Sequence, residues 1–235
     1  MATTIDKNSI DAFQHCGVTI INHGTIYINY PNGTRPETKH EPPPNNAPPP
    51  KRRAERTLDV QEILDTNKKT LCEWTGLEGF TILYDSDSDQ FTAASFNKKV
   101  CGHKGVMVII VTNEGNVFGC FSSLTLPMPE KKDAWLVDDM NYFVFTLVNP
   151  SNTPPTRFLL KHPGTQSVMI SPNVSRKWVF ANNTGFGLKQ NDQSYVAENF
   201  TKWYNDPTGM GADIFTGSHF PSTFKISKLI ALEWV

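Results

Sequence analysis

Eight of the 17 prolines fall between Pro31 and Pro50, in a stretch that contains no large apolar residue. Proline lacks a backbone N–H and fixes φ, so this stretch can join neither a helix interior nor a central strand. Pro42–Pro44 and Pro48–Pro50 favour the extended polyproline II form, at about 3.1 Å per residue. The prolines therefore divide the chain into a small element at residues 1–30, a disordered Pro-rich and basic linker at 31–56, and a main domain at 57–235.

The first piece is too short to bury much core by itself. Val18–Ile21 and Thr25–Tyr30, two β-branched runs around Asn22, His23 and Gly24, predict a hairpin. An isolated hairpin is marginal in water, so residues 1–30 read either as a self-associating element that makes a homo-oligomer or as a tail. Across the whole chain, 38% hydrophobic and 11% aromatic residues, including 15 Phe and 5 Trp, suffice to fill the core of a domain of this size. The formal net charge of -1 exerts no global pull toward nucleic acid or anionic membrane. Residues 1–56 hold seven basic and five acidic side chains, and residues 57–235 hold 15 and 18. Any basic function is thus local, and the main domain is not an obvious electrostatic reader of DNA.

Met1–Gln14 carries Asp6, Lys7 and Asp11 and lacks the apolar core of a secretory signal, and no run approaches the length of a membrane span. A cytoplasmic or nuclear address is expected, with Cys16, Cys72, Cys101 and Cys120 kept as thiols.

In the main domain, Val60, Ile63, Leu64, Leu71 and Trp74 fall at helical spacings and predict a lead-in helix within 57–75. Thr70 and Glu73 would form a capping box if that helix restarts after Asn67. Phe80–Tyr84 reads as a strand, and Ala93, Phe96 and Val100 as one face of a short helix. From Val106 onward, strands dominate: 106–112, 116–122, 142–148, 156–162, 167–170 and 177–181. At the end, Phe224, Ile226, Ile230, Leu232 and Trp234 share even parity, which predicts one long strand with that face on the core. The aromatic residues, at β spacing, are assigned to the core rather than to base stacking.

No constellation nominates a catalytic residue, a cofactor or a metal. Asp85, Asp87 and Asp89 open like an EF-hand loop, but Gln90 stands where glycine is needed and Phe96 where the bidentate carboxylate belongs. They read as a solvated turn near a helix N-terminus. Cys101-Gly-His103 has no second pair to complete a zinc site. Cys101, at a helix end before Gly102, is a candidate redox-sensitive thiol. Lys51, Arg52, Arg53 and Arg56 read as a nuclear import signal or as a solvated charge run.

The segments Leu83–Phe96, Thr112–Ser122, Phe143–Pro150 with Pro154–Phe158, Phe215–Ser218 and Phe224–Val235 resemble, in order and spacing, the TLDc domain. The resemblance covers roughly Leu77–Val235 and implies a β-dominated fold, an antiparallel β-sandwich flanked by short helices. It also implies a link to oxidative-stress resistance and, in several relatives, binding to the vacuolar-type proton pump; it brings no agreed active site. Thr184–Asn191 and Asn199–Gly211 depart from the family pattern, and loops are where partner choice resides. The expectation is a non-enzymatic protein-binding adaptor. The alternative is a nuclear, stress-responsive DNA-binding regulator, motivated by the basic run and the two-part layout.

Overall fold

The computed structural model describes the backbone of 18–21 and 25–28, and residues 60–162 and 164–235 in full. The linker and the basic run at Lys51, Arg52, Arg53 and Arg56 lie outside the described residues. The expected hairpin is present: β1 (Val18–Ile21) pairs antiparallel with β2 (Thr25–Ile28), with Ile21 opposite Thr25.

The unit from Arg56 to Val235 is built on two antiparallel sheets. Its elements are α1 (Val60–Thr75), β3 (Phe80–Asp85), α2 (Ala93–Val100), β4 (Val106–Thr112), β5 (Val117–Ser122), β6 (Ala134–Trp135), β7 (Phe143–Val148), β8 (Thr156–Leu159), β9 (Val168–Ile170), β10 (Trp178–Asn182), β11 (Phe186–Lys189), β12 (Tyr195–Val196), α3 (Phe200–Trp203), α4 (Asp213–Thr216) and β13 (Ile226–Trp234). The six-stranded sheet runs β3-β13-β4-β5-β7-β8 and the five-stranded sheet β12-β11-β10-β9-β6.

Between the sheets lies the larger core, in which Val108, Ile110, Phe118, Val144 and Phe158 meet Ile170, Phe180, Phe186 and Leu188. A second core lies on the other face of the six-stranded sheet. There Met107, Ile109, Val117, Phe121, Phe143, Phe145 and Leu232 pack under Val60, Ile63, Leu64 and Leu71 of α1. Every residue of β4 and β5 is buried as a result. Gly119 sits on that helix side opposite Phe145, and a Cβ there would collide with the Val108 carbonyl and lie 2.9 Å from the Phe145 ring.

Helix α1 is continuous, contrary to a restart after Asn67. The Asn67 amide donates to the Ile63 carbonyl at 2.8 Å instead of breaking the helix, and Thr70 lies within the helix rather than at a cap. Helix α2 begins where Thr92 Oγ1 accepts from the Ser95 N–H at 3.2 Å. Its Phe96 packs edge-on against Tyr84 and Phe180 and so joins the two sheets.

The terminal strand corrects the single-face expectation. Ile226 pairs with Thr112 but Lys228 with Val111, so two residues oppose one and the strand bulges at Ser227. A bulge inverts side-chain parity. Phe224 and Ile226 therefore join Leu229 and Ala231 on the core between the sheets, while Ile230, Leu232 and Trp234 turn to the α1 side.

Candidate functional site

A concavity lies on the outer face of the six-stranded sheet, beside the C-terminal end of α1. It is an open groove of about 690 Å³. Phe121, Phe143 and Trp234 project into it from β5, β7 and β13, because alternation along those strands puts them on the α1 side. Trp74, on the last turn of α1, packs edge-on against Phe143 at 6.0 Å and against Phe145 at 6.1 Å. Met140 and Leu159 line it while remaining 68% and 44% exposed.

Two cations line the same groove. Arg157 Nη1 donates to the Trp74 carbonyl at 3.1 Å, and its guanidinium stands 6.0 Å from the centre of the Phe143 ring. Lys104 is exposed. Glu233 is engaged by His103 at 3.0 Å. The indole N–H of Trp234 is buried without an acceptor among the described residues.

Polar groups elsewhere serve the fold. The buried Asp139 carboxylate accepts from Ser122 Oγ at 2.8 Å, the Ser123 N–H at 2.8 Å and Ser123 Oγ at 2.5 Å, which fastens the connection between β5 and β7. Between the sheets, Asn182 donates to the Tyr142 hydroxyl at 2.8 Å and accepts from the Phe186 N–H. Tyr204 donates to the Asn183 carbonyl at 2.9 Å. Burial holds the Tyr142 and Tyr204 phenols well above the usual tyrosine range and pushes the Cys120 thiol up to about 12.

Cys101 forms the C-cap of α2, half-buried, with its N–H donating to the Asn97 carbonyl. Burial pushes its thiol up to about 11, which keeps it protonated at neutral pH and works against reactivity as a thiolate. The acidic turn is tied to distant chain. Lys228 Nζ reaches Asp85 at 3.2 Å and Asp87 at 2.6 Å, and Lys99, in the last turn of α2, reaches Asp89 at 3.3 Å. Among the described residues no group of three or more His, Cys, Asp or Glu side chains could hold a metal ion, and no helix is long and apolar enough to cross a membrane.

Sequence reasoning did not find the groove. Its residues come from α1, β5, β7, β8, β13, four loops and the terminal Val235, and no short spacing unites them. The assignment of the aromatic residues to the core holds for most phenylalanines, Phe96, Phe118, Phe143 and Phe180 among them, but of the five tryptophans only Trp234 is fully in it, with Trp74 and Trp203 packed part-buried against the cores. Trp74 borders the groove, and Trp178 lies on the outer face of the five-stranded sheet.

With two stacked antiparallel sheets, short helices and a covering α1 in place, the comparison with known families gives the class. The TLDc domain model matches residues 60–230, so the chain belongs to the TLDc-domain family. The match begins at α1, earlier than the Leu77 boundary read from the sequence, in keeping with the contribution of α1 to the second core. No curated protein matches the chain.

Proposed function

We propose that this TLDc-family chain is a non-enzymatic adaptor of the oxidative-stress response that binds a protein partner through the groove beside α1. The observation that carries this reading is the combination of exposed Met140 and Leu159 with an aromatic floor and two cations at one concavity. Protein interfaces concentrate such aromatic, methionine and arginine side chains. Membership of the family supports a protein-interaction role. The vacuolar-type proton pump is the partner that family resemblance suggests, and a cytoplasmic or nuclear location is part of the same proposal. The hairpin region at 1–30 would add self-association.

The test is capture of proton-pump subunits from cell extract by the full chain and by the Met140→Asp, Leu159→Asp double variant. Capture by the parent, reduced at least tenfold in the variant, is the expected result. Equal capture by both moves the contact off the groove. Failure of the parent to retain any pump subunit or other stable protein partner overturns the adaptor reading.

A further inference from the structure

The outer face of the five-stranded sheet carries a second, chemically different surface. Phe186 and Leu188 point into the core between the sheets, so Gly187 between them points outward. The Trp178 ring lies over Gly187, where a Cβ would come within 2.5 Å of Cζ3, and Tyr195 is the cross-strand partner of Gly187. Three rings follow one another here. Trp178 meets Tyr195 edge-on at 6.0 Å, and Tyr195 meets Phe220 at 5.4 Å. Phe220 is 50% exposed, and its N–H donates to the Val196 carbonyl of β12, which fixes it at the sheet margin.

Cations alternate with these rings. Lys189 Nζ lies 5.2 Å from the centre of the Trp178 ring and 5.1 Å from that of Tyr195, and Lys177 Nζ lies 5.1 Å from Trp178. Arg176 is exposed one residue before Lys177. Lys99, Lys225 and Lys228 each have a carboxylate partner, but among the described residues Arg176, Lys177 and Lys189 have none within ion-pair distance. Asp192, at the turn between β11 and β12, stands 4.0 Å from Lys225.

We infer that this face binds single-stranded nucleic acid, with a base stacked on the exposed Phe220, and with Lys177 and Lys189 turning from the Trp178 and Tyr195 rings to hold phosphates beside Arg176 so that those rings can take further bases. Interleaved rings and cations on an open sheet suit a chain that alternates flat bases with charged phosphates, and aromatic stacking requires no particular sequence. A lipid surface calls instead for a projecting apolar tip or face with cations at its rim. Here Trp178 and Tyr195 lie half-buried against the sheet under their lysines. Lys189 falls within Thr184–Asn191, one of the stretches that depart from the family pattern. The face is separate from the groove, which opens on the opposite side of the sandwich, so the two readings fail independently.

Fluorescence anisotropy of labelled oligouridine with the full chain tests the inference, with circular dichroism confirming that each variant is folded. Binding should weaken with salt at a log–log slope of about -2, as expected for three neutralised phosphates on a single strand. It should fall at least tenfold in Lys177→Glu, Lys189→Glu and about tenfold in Phe220→Ala, since each stacked base contributes an effect of that order. It should survive replacement of Lys51, Arg52, Arg53 and Arg56 by alanine. The inference is overturned if the parent does not bind, if the sheet-face variants bind as well as the parent, or if alanine at the four linker residues abolishes binding. Flotation with phosphatidylserine vesicles in place of oligouridine binding would assign the face to a lipid surface and likewise overturn it.

Discussion

The outer faces of the two sheets have opposite fates. On the six-stranded sheet, β4 and β5 carry apolar side chains toward both sides, and α1 covers the helix side with Val60, Ile63, Leu64 and Leu71. On the five-stranded sheet, the outward row opposite Tyr195 runs through Gly187, Ala181 and Met169 to Trp135, with small residues at its centre and cations beside its rings. A strand that is apolar throughout requires cover on both faces, whereas alternation with small or charged residues allows one face to stay open. One outer face has become a second core under a helix, and the other is a surface layer in which Gly187, Ala181 and Met169 are buried and Trp178, Lys189 and Tyr195 half-buried.

The largest test of that contrast is truncation under α1. Leu71 is fully buried, and Leu71→Ala should cost about 2–5 kcal/mol, the range for removing a large aliphatic side chain from a packed site. Lys189→Ala on the open face should change stability by no more than about 0.5 kcal/mol. Urea unfolding of the two variants checks this. Similar losses would mean that the five-stranded sheet is as fully covered as its partner.

Two glycines sharpen the same comparison at a smaller scale. Gly119→Ala presses a methyl group into the Val108 carbonyl and the Phe145 ring, neither of which can retreat beneath α1, and should cost about 1–3 kcal/mol or more by overpacking. Gly187→Ala meets only the Trp178 ring and, farther off, the Tyr195 ring, on a side where rings can turn toward solvent. Its cost should be near 1 kcal/mol. A melting temperature lowered more by Gly187→Ala than by Gly119→Ala would reverse the assignment of covered and open faces.

These positions also show why some of the molecule is legible in sequence and some is not. The strands from Val106 to Val148 announce themselves because apolar runs bounded by turn residues have few other uses, and α1 does so through its spacing of three and four. Strand β11 is hidden because Gly185 and Gly187 look like loop. Yet Gly187 makes room for Trp178, and a Cβ at Gly185 would strike the Asn182 amide that accepts from Phe186. The parity of the last strand misleads because one extra residue at Ser227 moves half of its apolar set to the other side. Local pattern records which residues avoid water but not which of two cores receives them. The groove and the ring ladder are tertiary objects, assembled from residues far apart in the sequence.

The smallest effect separates polar from apolar fastening. Where α1 is held by apolar burial, the loop between α3 and α4 is held by one carboxylate. Asp206 accepts from Thr208 Oγ1 at 2.6 Å, the Thr208 N–H at 2.9 Å and the Gly211 N–H at 2.8 Å. Partial burial works to raise its pKa, but these hydrogen bonds outweigh it and hold the carboxyl below the usual aspartate range. A depressed carboxyl contributes stability above its unfolded value, near 3.9, and loses it as the pH falls through the folded value. Asp206→Asn should therefore cost about 1 kcal/mol at neutral pH, a cost that shrinks below about pH 4 and disappears once the parent carboxyl is protonated. Leu71→Ala, which removes no titrating group, should keep its full cost across the same range. Urea midpoints of both variants and the parent from neutral to acid pH supply the comparison. A constant gap for Asp206→Asn would show that its hydrogen bonds do not depend on charge, and a shrinking gap for Leu71→Ala would show that acid loosens α1 itself.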